Sequence, residues 1–545
     1  MFRKNDIQQI SIRDTFNKLT EREQKRMEKS WAKYFGDEIF QLINEEIFRG
    51  IYSDNEKSCP NTPVNICVAL SIIKEMFDLT DEEIVENVLF DIRYQYAIHT
   101  TSYEEQPVND KTLYRFRKRV IEYNEKNNTD IYYDCITELA EKIRILMGLT
   151  PNIRRMDSMM ISSNIKRLSR FELIYRCISN LVKYLHKNGY DDIIEGMEHY
   201  YDDNDFNQVT YHNKSSSMEE KTRTLLKDAG ILLEKCGKQF ENIREYQLFF
   251  RCLTEQTITE NNERRLKAKE DKSMNSQMLQ NPSDPDATYR SKNGKESIGY
   301  AANFEETVDS SGAVITDYQV EQNTYSDSQF MEDRLNRLED KQKNTENETS
   351  KESEKTTIVT DGAYASEDND KLAEKKNAEI VTTNLTGKET PDIMGDFEIN
   401  EEGDEITKCP CGNTPVKCTS NPKYGTITAK FEKGCCENCS HREECHAKVN
   451  KSGSARVTVS KGSVKRALKQ REMKKKSYNL YYRLRNGAET IMSIMRRKYR
   501  IDKIPAVGKS KVRFFVGSKV GAYNVTKLFH FRRGQLCCAR NLIFE

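Results

Sequence analysis

Along the first 125 positions, apolar residues recur at three- and four-residue steps. Val64, Val68, Ile72, Ile73 and Met76 form one apolar stripe, the pattern of an amphipathic helix. Thr62-Pro63 supplies its start, since Thr can cap and Pro fits the first turn. Thr80-Asp81-Glu82-Glu83 has the spacing of a capping box and opens a second helix carrying Ile84, Val88 and Leu89. Asn109 or Asp110 is placed to cap a third, basic helix containing Leu113, Tyr114, Arg115, Phe116, Arg117, Lys118 and Arg119. Helix, short turn, helix, then a basic helix is the order of helix-turn-helix DNA readers, although three helices in a row more often simply pack together.

The pattern changes at Pro151. Residues 153–161 are short, apolar and punctuated, which predicts a strand with Asp157 inside it. Residues 162–292 read as a polar, helical insertion, with 173–185 and 231–252 as its helices. Strand patterns return at 297–308 and 313–322, joined by the hairpin connection Asp309-Ser310-Ser311-Gly312. A helix over 326–340 and a charged, flexible connection over 338–356 follow. Residues 356–364 predict a strand ending in a tight turn, 367–376 a helix and 378–383 another strand. That order predicts an α/β fold with a mixed sheet.

At 545 residues the chain is too long for one compact core, so several domains are expected. Lys+Arg 87 against Asp+Glu 86 gives a net charge of +1 and excludes a uniformly basic or acidic protein. The balance hides an asymmetry. Residues 446–545 hold 26 Lys/Arg against 4 Asp/Glu, a local net of +22, whereas residues 326–405 hold 10 against 23, or −13. Tyr478, Tyr481, Tyr482, Phe514, Phe515, Tyr523, Phe529 and Phe531 interleave the cations, so the basic segment can fold and present one face to nucleic acid. No run of about 18 apolar residues exists, which argues against a membrane span. The opening Met-Phe-Arg-Lys-Asn-Asp lacks the apolar stretch of a signal peptide. A cytoplasmic location follows as an expectation, and there the 15 cysteines would bind metal rather than form a disulfide framework.

Three acids stand out. Asp157 lies in the first strand and Asp361 ends the fourth, and adjacent strands would bring the two carboxylates together. Glu489 lies on a predicted helix, 478–497, where Tyr482, Arg485, Glu489 and Arg496 are spaced 3, 4 and 7 apart. At 3.6 residues per turn these four fall within about 60° of one another, on one face. Three carboxylates suit a pair of Mg2+ ions, which take oxygen ligands and activate an attacking hydroxyl on a phosphodiester. Each acid alone also has a structural reading, as a turn cap, a turn residue or a surface ion-pair partner.

A second cluster is Cys409-Pro-Cys411, Cys418, Cys435-Cys436, Cys439, His441 and Cys445, which places seven of the 15 cysteines within 37 residues. The spacing suggests a tetrahedral, structural Zn2+ held by Cys409, Cys436, Cys439 and Cys445, with Cys409 preferred to Cys411 and His441. Such a closed thiolate site leaves no position for catalytic water. Lys474-Lys475-Lys476 and Arg496-Arg497-Lys498 flank the glutamate helix and serve either solubility or the DNA backbone.

Together these segments resemble bacterial insertion-sequence transposases of the DDE type. Val64–Val120 looks like their N-terminal helical domain, including Leu79-Thr-Asp-Glu-Glu-Ile and Thr112-Leu-Tyr-Arg-Phe-Arg. Met156-Asp-Ser-Met-Met-Ile-Ser-Ser-Asn-Ile165 is similar to the segment of the first aspartate, and Thr360-Asp-Gly-Ala-Tyr-Ala-Ser366 to that of the second. Tyr482-x2-Arg485-x3-Glu489-x6-Arg496 is similar to the signature around the glutamate, with Arg496 where the family usually has Lys. The separation of Asp157 from Asp361 is long for the family and implies the insertion after the first strand.

The resemblance implies an α/β, RNase H-like mixed-sheet catalytic domain with a helical insertion and a cysteine-rich module, preceded by an all-helical N-terminal DNA-binding domain. The layout would be residues 1–125 helical, 150–400 the first part of the catalytic core with its insertion at 162–292, 405–447 the cysteine module, and 448–545 the basic remainder. Asp157, Asp361 and Glu489 would be catalytic and hold Mg2+ or Mn2+. Arg115, Arg117, Lys118, Lys474, Lys475, Lys476, Tyr482, Arg485 and Arg496 would contact DNA. The partners implied are double-stranded DNA, both element ends and target, and at least one further copy of the chain. The protein would cut at the element ends and join the 3′-hydroxyls to target DNA in the nucleoid. Two alternatives share these residues: a catalytically silent, domesticated DNA-binding regulator, and a metal-dependent nuclease without strand transfer.

Overall fold

The computed structural model describes every residue except 6–13, 54, 56, 203, 211–214, 261–262, 272–273, 293, 344–354, 386–388, 401, 452 and 535–545. The chain forms two compact units. One takes in Met1–Phe330 and resumes at Ala488, and the other is Met331–Gly487.

In the first unit the helix Val64–Phe77 starts differently from expectation. Pro63 is its N-cap and makes no side-chain cap bond. The buried carboxylate of Glu45 takes that role, accepting from the Val64 N–H at 3.0 Å and the Asn65 N–H at 3.3 Å. The second helix, Asp81–Phe90, carries the predicted capping box: the Thr80 N–H donates to Glu83 at 2.7 Å and the Glu83 N–H to the Thr80 hydroxyl at 3.1 Å. A short helix, Ile92–Ala97, intervenes before the third, Thr112–Asn127. Neither Asn109 nor Asp110 caps that helix. Its N-cap is Lys111, and the Asn109 side chain instead accepts from the Lys111 N–H at 3.1 Å, a turn ahead of the helix.

One apolar core runs through this unit. The helix Lys509–Arg532 packs against Val64–Phe77, against Ile131–Leu146 and against the strand Gly312–Gln322. Close approach is possible because residue 521 is Gly: a Cβ there would lie 2.9 Å from Ile72. Tyr132 stacks on Phe514 with ring centres 3.9 Å apart, and Lys519 pairs with Glu75 inside the core. The strand Ile153–Ser162 runs antiparallel to Lys295–Asp309, with Asp157 opposite Phe304. Lys295–Asp309 also pairs with Gly312–Gln322 through the predicted hairpin, Asp309 opposite Gly312, and with the edge strand Thr288–Lys292.

The insertion is helical and has its own apolar core around Leu181, Ala229 and Phe249. Its first predicted helix lies within Arg170–Lys187. The second, predicted over 231–252, is two helices, Ser215–Cys236 and Arg244–Gln256. They part at Gly237, whose φ of +53° lies in the left-handed region that glycine enters without a Cβ penalty.

In the second unit Thr356–Thr360 lies parallel to Ala378–Thr382, connected through the helix Glu367–Lys375. The cysteine segment contributes a four-stranded antiparallel sheet in the order Lys417–Asn421, Thr426–Phe431, Ala455–Ser460, Lys448–Val449. It is closed by Ile427, Ala429, Phe431, Val457 and Val459. A helix, Lys461–Met473, follows it. The expected flexible connection at 338–356 is occupied at its start by the helix Asp327–Lys343, and most of its remainder lies outside the described residues. The chain is thus mixed α/β. Among the described residues no helix is long and apolar enough to cross a membrane.

Candidate active site

In the first unit a cavity of about 460 Å³ is lined by Asp157 and Glu489 together. Asp157 is half-buried and accepts from the Ser158 N–H at 2.9 Å. The Ser158 hydroxyl donates to Asp327 at 2.6 Å, which ties the strand down beside the acid. Glu489 is exposed because its helix, Asn479–Arg497, turns Ala488, Ile491, Met492 and Met495 into the core, leaving the acid on the open side. Arg496 lines the same cavity, and its Nε lies 3.3 Å from Asp502. The cavity also contains Arg290, Lys292 and Arg497, so four cations surround two carboxylates. No sequence motif marks Arg290 and Lys292. Their alternation in Tyr289-Arg290-Ser291-Lys292 is visible in the sequence, but the strand's place beside the cavity is not.

Asp361 belongs to the second unit, at the turn following Thr356–Thr360. Its carboxylate accepts from the Ala363 N–H at 2.8 Å, and the Gly362 N–H donates to the Asn384 side chain at 2.5 Å. Gly362 is required there, because a Cβ would lie 2.5 Å from the Asn384 carbonyl oxygen. Arg485 approaches Asp361 with its guanidinium 4.0 Å from the carboxylate. The half-buried Tyr482 sets its ring edge-on to Tyr478, 5.5 Å between centres, and Tyr478 donates to the Thr382 carbonyl at 2.7 Å. The end of Lys461–Met473 runs into Lys474, Lys475 and Lys476, all exposed.

The third helix divides its cations. Arg115 and Lys118 are exposed, Lys118 lying 3.7 Å from Glu122. Arg117 is engaged: its guanidinium pairs with Asp81 and lies 5.4 Å from the centre of the Phe515 ring. That engagement packs the third helix against its neighbours.

The thiols of the cysteine module crowd together. Cys411 and Cys439 sulfurs lie 3.3 Å apart, and that contact first, with burial second, pushes the Cys411 thiol up to about 11. Burial, then the neighbouring thiols, pushes Cys445 up to about 12. The expected zinc set of Cys409, Cys436, Cys439 and Cys445 finds no support in this geometry, however. Among the described residues no group of three or more His, Cys, Asp or Glu side chains is arranged to hold a metal ion. The closest of these thiol contacts involves Cys411, ranked behind Cys409 in the sequence, and Cys418 turns its thiol to the Ile406 carbonyl at 3.5 Å.

Two family models match the chain. A transposase domain (DUF772) matches residues 22–119, which include the first two N-terminal helices and the start of the third, and a transposase DDE domain matches residues 408–529. The second segment holds the cysteine module, Lys474–Lys476, Tyr482, Arg485, Glu489 and Arg496, while Asp157 and Asp361 lie outside both. No curated protein and no solved structure matches the chain. Both matched segments are transposase domains, so the resemblance to insertion-sequence transposases of the DDE type holds.

Proposed function

We propose that this chain cuts DNA at the ends of an insertion sequence and joins the freed 3′-hydroxyls to target DNA. The observation that carries this reading is the cavity shared by Asp157 and Glu489 among four cations, with the acid helix inside the segment that matches a transposase DDE domain. Asp157 and Glu489 offer hard oxygen donors, and Asp361 is the third member of the proposed set. Mg2+ or Mn2+ fits such donors, since Mg2+ takes one or two protein carboxylates and fills its remaining positions with water and substrate phosphate. When bound, the ion activates the attacking hydroxyl and stabilises the leaving oxygen. This reading makes no use of structural Zn2+, for which no ligand group is found among the described residues.

The chain's own residues then have separable roles. Arg496 and Arg497 counter phosphate charge beside the carboxylates. The exposed Lys474, Lys475 and Lys476 hold backbone without reading sequence. Arg115 and Lys118 face outward on the third helix, where base edges could be met. An RNase H-like core, a nucleoid location and a synaptic complex of two or more copies belong to the same proposal.

The test is a cleavage assay on duplexes carrying the element ends, with Mg2+ and with Asp157→Asn, Asp361→Asn and Glu489→Gln. Each substitution should abolish nicking while leaving DNA affinity within about threefold. Wild-type cleavage by the Glu489→Gln protein would remove the three-carboxylate site. Cleavage without joining would favour the nuclease reading.

A further inference from the structure

The same cavity carries two cations that neither the sequence motifs nor the matched segments account for. Arg290 and Lys292 lie on the edge strand Thr288–Lys292, outside both transposase matches. They are two residues apart, so they share a face of the strand and stand about 7 Å from each other. That is close to the step between neighbouring phosphates of a nucleic-acid strand.

Arg290 is held by its guanidinium. Its Nη1 donates to the Asn323 carbonyl at 3.1 Å, and Asn323 is itself fully buried, its amide donating to the Thr288 carbonyl at 3.2 Å. A guanidinium has five donors, so this anchor uses a small part of its capacity.

Lys292 supplies a second, independent sign. In the strand register it lies directly opposite Lys295. Like charges facing each other across an antiparallel pair are destabilising. The nearby Glu296 is engaged elsewhere, at 2.5 Å from Arg167 and accepting from the Tyr289 hydroxyl at 2.8 Å. Among the described residues no carboxylate lies within ion-pair distance of either lysine. A facing lysine pair beside a cavity that already holds Arg290, Arg496 and Arg497 is a place where an anion lowers the energy.

We infer that Arg290 and Lys292, with Lys295 beside them, form a phosphate clamp that positions the DNA strand entering the Asp157–Glu489 cavity. The inference rests on reading that cavity as the DNA-processing site. Arg290 and Lys292 are positioning residues: they grip the backbone away from the reacting phosphate and fix its register against the carboxylates.

The experiment compares wild type with Arg290→Ala/Lys292→Ala and with the charge-keeping swap Arg290→Lys/Lys292→Arg. Binding to element-end DNA is titrated with salt in the absence of divalent metal, and KM and kcat are measured with Mg2+. Thermal midpoints establish that each variant is folded. The alanine pair should flatten the slope of log K against log salt by about 1.4 if the gripped strand is single, or about 1.8 if duplex, taking roughly 0.7 or 0.9 per lost contact. KM should rise several-fold, and the swap should restore both values. An unchanged slope and KM in the alanine pair would overturn the clamp, as would a swap that restores neither. The two readings fail separately. If Asp157→Asn abolishes cleavage while the alanine pair changes nothing, the clamp falls and the carboxylate site stands. If the slope drops but wild type cleaves no end DNA with Mg2+, the strand contact stands and the carboxylate reading falls.

Discussion

Arg117 on the third helix and Asp81 at the start of the second are joined by two guanidinium–carboxylate bonds, one of them 3.1 Å long. Lys74 reaches the same carboxylate at 2.5 Å, and the Arg117 side chain is only 14% exposed. Burial alone would raise the Asp81 carboxyl, but hydrogen bonds and charge from Arg117 and Lys74 more than offset it and hold it below its usual value of 3.8. A depressed carboxylate contributes stability above its unfolded pKa and loses it as pH falls through the folded one. Arg117→Ala should therefore lower stability by about 1–3 kcal/mol at neutral pH. It should also remove the part of the acid-side loss that lies below about pH 3.8. Thermal melts from pH 7 to pH 2 check both, and a wild-type profile in the variant would show the pair to be dispensable.

Arg115 and Lys118 should behave in the opposite way. Substituting both by Ala removes exposed cations without touching the core, so the melting temperature should hold within a degree or two. Preference for element ends over random duplex should fall, because base edges rather than phosphates carry sequence. Competition binding with both DNAs is the measurement. Equal loss on end and random DNA would place end recognition on another surface.

At position 362 the forecast concerns a turn. Gly362→Ala would press a methyl group against the Asn384 carbonyl, whose oxygen lies 2.5 Å from the Cβ position. The turn must shift, at a cost of roughly 1–3 kcal/mol. Cleavage should fall much further than affinity for DNA, because the displaced residue is Asp361. A variant with full cleavage would mean that Asp361 needs no fixed position.

Lys474, Lys475 and Lys476 are exposed and lie at the end of a helix, with Lys474 no closer than 3.9 Å to Asp392. Neutralising all three should weaken binding to every DNA sequence about equally. Each lost phosphate contact should take roughly 0.9 from the salt slope on duplex DNA. A loss confined to element ends would contradict a backbone role.

Local signals were well written in the chain. The Thr80 capping box, the Asp309–Gly312 hairpin and the strand around Asp157 all depend on neighbouring residues and form as the pattern predicts. What escaped were arrangements set by distant partners. Glu45 caps the helix at Val64 across some 19 positions, so no local motif could show it. The break at Gly237 within the helix predicted over 231–252 is the exception, a local signal that the apolar spacing running through the turn masked. In the candidate site, Glu489 and Arg496 were legible as a helical spacing. Arg290 and Lys292 were not, because a short strand acquires meaning only from the cavity it lines. The zinc expectation gained no support for a related reason: C-x2-C spacing fixes which thiols are near in sequence, not how many converge.

The buried pair of Lys519 with Glu75 joins residues 444 positions apart. Around it, the helix Lys509–Arg532 fills the centre of the first unit, touching Val64–Phe77, Ile131–Leu146 and Gly312–Gln322. During synthesis those three elements leave the ribosome long before their filler exists. Until it arrives, their apolar faces and the Glu75 carboxylate have nothing to close on. A chain interrupted anywhere in between, by a premature stop or a lost reading frame, would leave those apolar faces uncovered and so be a substrate for proteases. The packing therefore makes completion of this core depend on synthesis of the chain through to residue 532.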